Sequence, residues 1–141
     1  PLLEKLSVVL FDIKVFDSDK HKRLCGADNT VIKENLKGLA ADSLAGHGPL
    51  VRPRLPLIPG MTDSEENLRS WAGFLREAGI PFLTLVPYHP MGRSKRRWLG
   101  LPLGPVVSVP AEEGITTAEK MLAREGIQTF RPGEEGPPLA I

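Results

Sequence analysis

The chain has 141 residues, of which 41% are hydrophobic and 25% charged, and its formal net charge is +1. This length and composition fit a single domain with one core, and the balanced charge gives no reason to expect a nucleic acid or a membrane surface as partner. No apolar run is long enough to span a membrane, and the single cysteine, Cys25, excludes an internal disulfide and suits a reducing, cytoplasmic compartment.

The first elements of the chain are predicted to be a strand and two helices. Ser7–Val15 is a nearly continuous run of β-branched, aromatic and aliphatic residues, which favours a strand covered on both faces. A segment rich in capping residues then predicts a short helix that stops at Gly26. Residues 29–44 carry apolar side chains at helical spacing and predict an amphipathic helix.

A second strand, a helix and a third strand follow. Leu50–Ile58 reads as a strand whose two internal prolines should make it irregular or bulged. A capping box that starts at Thr62 or Asp63 predicts a helix that ends at Gly79. Residues 81–89 then form a third apolar run, which predicts another buried strand.

The last third of the chain is less regular. Residues 94–100 predict a short helical turn, and the basic stretch Gly92–Arg97 is interpreted as a solvated loop or, alternatively, a contact surface for a partner. A helix is expected over residues 110–126 and a final strand over 127–130. Residues 131–141 show no periodic apolar pattern and predict a poorly ordered tail.

This alternation of strands and helices indicates an α/β fold over residues 1–130. Parallel strands joined by helical crossovers occur in doubly wound sheets and in portions of a barrel. Three or four such strands do not close a barrel. The sequence therefore predicts an open parallel sheet or a barrel segment.

Four polar residues lie at or near the predicted strand ends. Asp12 and Lys14 are two residues apart and share one face of a strand, Arg54 lies in the second strand, and His89 ends the third. Ligands bind at the carboxyl ends of strands in parallel α/β folds, so the set predicts a binding site. The alternative is an internal ion-pair set that fixes strand register, with His89 as a core histidine.

The remaining distinctive side chains are given structural interpretations. Cys25 is expected to be a small buried or half-exposed thiol. His21 and His47 have no metal-ligand partners at useful spacing and are expected at the surface. Trp71 is expected in the core on a helix face, and Trp98 is expected to pack beneath the basic loop.

Four motifs occur in order: D-x-K after an apolar strand, H-K-R-L-x-G about ten residues later, R-x-P-L-I-P-G, and P-Y-H-x-x-G-x-S-K. With the segments around them, from about Val8 to Gly100, they closely resemble the C-terminal half of glycyl-radical-enzyme activating enzymes. These enzymes, of which the pyruvate formate-lyase activating enzymes are the best known, belong to the radical S-adenosylmethionine (SAM) superfamily. The ending of the chain is similar to theirs only as a helix followed by a strand.

The resemblance implies a partial (β/α)6 TIM-type barrel, of which this chain is the C-terminal half. It implies that Asp12 and Lys14 hold the ribose and methionine portions of SAM, and that Arg54 and His89 face its nucleoside. It also implies a reaction in which a reduced [4Fe–4S] cluster cleaves SAM to a 5′-deoxyadenosyl radical. That radical would take a hydrogen atom from a glycine of a partner such as pyruvate formate-lyase, with a flavodoxin- or ferredoxin-type protein as electron donor.

The chain departs from the family by lacking its C-x3-C-x2-C cluster motif, which one cysteine cannot replace. We therefore expect it to supply part of a SAM pocket, with no metal ligand and no catalytic residue of its own, and to be inactive alone. Two other hypotheses remain open. One is half of an ordinary TIM-barrel aldolase or isomerase with Lys14 as a Schiff-base lysine; the other is a non-catalytic binding module.

Overall fold

A computed structural model describes residues 5–102 and 107–134, and for residues 91–94 it describes the backbone only. The strands are β1 (Val8–Asp12), β2 (Leu50–Leu57), β3 (Phe82–Pro87) and β4 (Gln128–Phe130). The helices are α1 (Ser18–Cys25), α2 (Thr30–Leu44), α3 (Glu65–Glu77), α4 (Met91–Trp98) and α5 (Glu112–Arg124). None of the helices in these ranges is long and apolar enough to cross a membrane. Most of the predicted tail, residues 135–141, lies outside the described residues.

The four strands form one parallel sheet in the order β1-β2-β3-β4. The register places Asp12 opposite Arg54, Arg54 opposite Thr84, and Thr84 opposite Phe130, so these four residues form one row across the sheet. Because crossovers between parallel strands are right-handed, a sequential order brings the connecting helices to the same face. The prediction of an α/β fold with parallel strands is confirmed.

The described residues cover only one face of the sheet. Along β2 buried and half-buried residues alternate, and in β1 the side chains of Val8 and Leu10 remain 43% and 55% exposed. The prediction that the first strand is covered on both faces is therefore wrong. An apolar run fits one-sided and two-sided burial alike, and here the helices lie on one side. The uncovered side, which carries Leu10, Asp12, Arg54 and Thr84, is called the open face below.

The core lies between the covered face and the helices. Trp71 of α3 is fully buried, as predicted, and its ring meets those of Phe16 and Phe74 edge to face, with centroids 5.0 and 5.5 Å away. Edge-to-face packing of this kind matches the positive ring edge to the negative ring face. The remaining fully buried side chains include Ile13, Leu36, Leu55, Leu57, Leu83, Leu85 and Leu122.

Helix α3 begins later than the sequence suggested. Its N-cap is Ser64, whose hydroxyl accepts a hydrogen bond from the backbone N–H of Asn67 at 3.3 Å. Thr62 is buried instead, and its hydroxyl accepts from the backbone N–H of Ile58 at 2.8 Å. The carboxylate of Asp63 accepts a hydrogen bond from the backbone N–H of Gly60 in the turn before it. The capping boxes predicted at Thr62 and Asp63 are wrong because both side chains are used to close the turn after β2.

The prolines of β2 do not interrupt the strand. Pro53 stays in register with Phe11 of β1, and Pro56 with Val86 of β3. The predicted irregularity is wrong, since a proline removes one donor from the ladder without adding a residue to the strand.

Three surface predictions also need correction. Residues 92–97 lie within helix α4 rather than in a loop, and Trp98 is 84% exposed rather than packed beneath it. His21 is buried, and its Nδ1 lies 2.7 Å from the carbonyl oxygen of Ala27, a partner that sequence spacing does not reveal. Cys25 is exposed, which leaves out the buried alternative given for this thiol.

Candidate functional site

Asp12 and Arg54 form an ion pair on the open face. Asp12 is the last residue of β1, and Arg54 is its register partner in β2. Arg54 donates from Nε at 2.8 Å and from Nη2 at 2.7 Å, in both cases to Oδ1 of Asp12. The Arg54 side chain is 37% exposed and that of Asp12 is 55% exposed. The pair is thus open to solvent and to a ligand, and at this exposure it contributes little to stability.

Lys14 and His89 lie at the same end of the sheet, because the strands are parallel. Lys14 follows β1 by two residues, and His89 follows β3 by two; both are exposed. The backbone N–H of Tyr88 donates to the carbonyl of Leu57 at 3.1 Å, so the β2–β3 pairing continues almost to His89. An exposed Lys14 lacks the dry pocket that a Schiff-base lysine requires.

The surroundings of the ion pair combine polar and apolar groups. Thr84 and Phe130 share its row of the sheet, and Leu10 lies exposed two rows below it on the same face. A carboxylate accepts hydrogen bonds from hydroxyls, a guanidinium donates to anionic or carbonyl oxygens, and an apolar strand surface supports a flat ring. The open face therefore offers a hydrogen-bond acceptor, a cationic donor and an apolar surface side by side.

Two buried asparagines hold the chain where it leaves β1. Asn29, 1% exposed, donates from Nδ2 to the carbonyls of Val15 at 2.7 Å and Phe16 at 2.8 Å. Asn67, 6% exposed, donates to the carbonyl of Lys14 at 3.1 Å. Sequence analysis missed both residues, because an asparagine near a helix start predicts a cap and does not reveal a distant partner.

Lys33 of α2 completes this arrangement. Its Nζ donates to the carbonyl of Phe16 at 2.8 Å and lies 3.6 Å from the centre of the Phe16 ring. Burial lowers the pKa of Lys33, an effect that the charge of Asp17 partly offsets. A cleft of about 320 Å³ opens beside these residues, lined also by Ser64 and Asn67. It adjoins the carboxyl end of β1 on the side of the helices.

An iron–sulfur cluster does not fit the residues present. The sequence has one cysteine, Cys25, which is exposed and forms no disulfide. Among the residues that the structure describes, no three His, Cys, Asp or Glu side chains lie together in a way that could hold a metal ion. No step of a reaction is therefore assigned to a cluster in this chain.

A parallel sheet with charged side chains gathered at its carboxyl end is the architecture of ligand-binding α/β domains. No family model matches the sequence. The chain is 39% identical over 103 residues to the isethionate sulfite-lyase activating enzyme of Nitratidesulfovibrio vulgaris, a match that covers 72% of this chain and 32% of that enzyme. It is 33% identical over 129 residues to the pyruvate formate-lyase 2-activating enzyme of Escherichia coli K12, covering 91% of this chain and 42% of the relative.

Two solved structures resemble this chain. A domain of a pyruvate-formate lyase-activating enzyme from Bacteroides vulgatus superposes with a TM-score of 0.68 at 25% identity, covering 90% of this chain and 68% of that one. A radical SAM methyltransferase from Sphaerobacter thermophilus shares the fold, with a TM-score of 0.54 at 20% identity, over 88% of this chain and 32% of that one.

The homologues of this chain are glycyl-radical-enzyme activating enzymes, and the resemblance seen in the sequence is confirmed. The chain spans 32% and 42% of the lengths of the two curated relatives described above.

Proposed function

We propose that the chain is the C-terminal half of a radical SAM activase and forms one wall of its SAM pocket. The names of its relatives support the activase assignment. Its sequential parallel strands, with the connecting helices on one side, are what a segment of a partial (β/α)6 barrel would have. In that barrel the open face would line the interior.

The four predicted site residues would each contact a different part of the ligand. Asp12 would accept from the ribose hydroxyls through Oδ2, since both of its described bonds to Arg54 use Oδ1. Lys14 would meet the methionine carboxylate, and Arg54 and His89 would face the nucleoside. Each role matches the donor and acceptor capacity of the side chain.

Bound SAM would supply a 5′-deoxyadenosyl radical, with its electron coming from a [4Fe–4S] cluster whose ligands lie elsewhere in a longer protein. The residues of this chain would bind and orient SAM on the open face. The proposed partner is a glycyl radical enzyme of the pyruvate formate-lyase type, and the proposed reductant is a flavodoxin or ferredoxin. We place the protein in the cytoplasm, where thiols stay reduced.

The Asp12–Arg54 pair is the observation that carries this proposal. It joins Asp12, at the carboxyl end of β1, to its register partner Arg54 within β2, on the face that the connecting helices leave uncovered. A purely structural ion pair could occupy any exposed position. This pair lies where parallel α/β folds bind ligands, in a chain whose homologues are activating enzymes.

Electron paramagnetic resonance tests the proposed activity. The full-length protein, reconstituted anaerobically with iron and sulfide, is mixed with SAM, a reductant and a glycyl radical enzyme from the same organism. We expect a glycyl radical signal on the partner. The 141-residue chain treated in the same way is the control, and it should show neither a stoichiometric cluster nor a glycyl radical. A stoichiometric [4Fe–4S] signal from the 141-residue chain would contradict the proposal that the cluster ligands lie outside this chain.

A further inference from the structure

The backbone beyond β1 is held by side chains rather than by the sheet. The last ladder bond of this strand runs from the N–H of Ile13 to the carbonyl of Arg54 at 2.9 Å. One residue later, the carbonyl of Lys14 accepts two side-chain hydrogen bonds, from Asn67 Nδ2 at 3.1 Å and from Trp71 Nε1 at 3.0 Å. Both donors belong to α3. Backbone groups away from water need partners, and here one helix provides them.

Asn67 makes more of these contacts than Trp71. Its Oδ1 accepts from the backbone N–H of Phe16 at 2.7 Å, and its Nδ2 donates to the carbonyls of Lys14 and Thr62, the latter at 2.8 Å. The side chain therefore fixes the backbone on both sides of Val15 and ties it to the turn after β2. Since Asn67 is 6% exposed, water cannot easily replace these bonds.

We propose that Asn67 is a positioning residue for the SAM pocket, an inference that rests on the proposed function. It contacts no atom of the open face. By fixing the carbonyl of Lys14 it sets the direction in which the Lys14 side chain leaves the backbone, and it keeps the neighbouring Asp12 in register with Arg54. A site whose supporting contacts are loose by about 1 Å loses much of its affinity.

A purely structural role for Asn67 makes a different prediction. In that case its loss would lower the stability of the fold and leave the affinity for SAM unchanged. A positioning role requires the affinity to fall more than in an equally destabilised variant whose substitution lies elsewhere. The test therefore compares variants of matched stability.

The substitution Asn67→Asp in the full-length protein removes the amide donor. An ionised aspartate keeps the shape and the acceptor for the Phe16 N–H, but it cannot donate to the carbonyls of Lys14 and Thr62, and it places a buried charge beside them. Isothermal titration with SAM should show binding weakened by about 10-fold. The matched control is Ile115→Ala, a core substitution in α5, a helix that packs against α3 and β4. It should lower the melting temperature without changing SAM affinity.

A second variant tests the inference if Asn67→Asp does not fold. Trp71→Phe keeps an aromatic ring in the core and removes the second donor to the Lys14 carbonyl, together with part of the buried ring volume. We expect about a 3-fold weaker affinity for SAM, with a raised KM for SAM and an unchanged rate at saturating SAM.

The outcomes separate this inference from the proposed function. A wild-type protein that binds no SAM overturns both. The positioning role alone is overturned if the wild type binds SAM and the Asn67→Asp or Trp71→Phe variant binds SAM as tightly as Ile115→Ala does. Affinity that falls in each variant that folds, and not in the control, supports it.

Discussion

Removing the side chain of Asn29 should destabilise the fold more than its size suggests. Asn29 is 1% exposed and donates from one nitrogen to the carbonyls of Val15 and Phe16, at 2.7 and 2.8 Å. After Asn29→Ala, the Phe16 carbonyl keeps the hydrogen bond from Lys33. The Val15 carbonyl loses its only described side-chain donor.

The magnitude follows from that difference. An orphaned buried carbonyl costs about 1–3 kcal/mol, and the vacated space adds a smaller cavity term. We expect Asn29→Ala to lower the free energy of unfolding by about 2–3 kcal/mol. With a urea dependence of about 1–3 kcal/mol/M, the midpoint should fall by roughly 1 M.

Urea unfolding at a fixed protein concentration, followed by far-ultraviolet circular dichroism, measures this change. The matched control is Asn35→Ala, an exposed asparagine in the same helix α2. Because alanine favours helix, this control should be neutral or slightly stabilising. Equal midpoints for Asn29→Ala and Asn35→Ala would refute the view that the buried amide supports the chain after β1.

Three further predictions concern the sheet, two glycines and pH. The chain should self-associate through its open face as its concentration rises. Leu10 is 55% exposed on that face, and Leu10→Ser should reduce the self-association measured by sedimentation. A wild-type chain that stays monomeric would contradict this prediction. In thermal melts, Gly38→Ala should stabilise helix α2 by about 0.5–1 kcal/mol. Gly79→Ala should instead destabilise the fold by about 1–2 kcal/mol, because Gly79 has a φ of +74°. Equal effects of the two substitutions would refute the view that the backbone conformation at each glycine decides the outcome. The hydrogen bond from the Thr30 N–H lowers the pKa of the Asp28 carboxyl group. The ionised Asp28 therefore stabilises the fold at a pH above its unfolded-state pKa, and this stabilisation is lost as the pH falls through its folded-state pKa. Asp28→Asn should therefore reduce the acid dependence of stability below about pH 4, and an unchanged acid dependence would count against that hydrogen bond.

The elements of the fold could be predicted from the sequence because each has a local signal. Apolar runs mark the strands, and glycines such as Gly26 and Gly79 end helices with a positive φ of 87° and 74°. The sidedness of the sheet has no such signal. Val8 and Leu10 are as apolar as buried residues, and only the arrangement of the helices shows that they are exposed.

The strand ends also separate what was predictable from what was not. The sequence placed Asp12 and Lys14 near the end of a strand over Ser7–Val15, whereas β1 ends at Asp12, where the register brings Asp12 to Arg54. The support for this end comes from Asn29 and Asn67, which lie 14 and 53 residues from their partners Val15 and Lys14. No local pattern encodes pairings at such separations.

The most direct test of the proposed SAM pocket is calorimetric titration of SAM into the full-length protein. The variant is Asp12→Ala, and the matched control is Asp42→Ala, an exposed aspartate in α2 away from the strand ends. The loss of the ribose hydrogen bonds should weaken binding to Asp12→Ala by about 1–3 kcal/mol, or roughly 5- to 150-fold, while Asp42→Ala binds like the wild type. SAM affinity that is unchanged in Asp12→Ala would remove Asp12 from the site and contradict the proposed pocket.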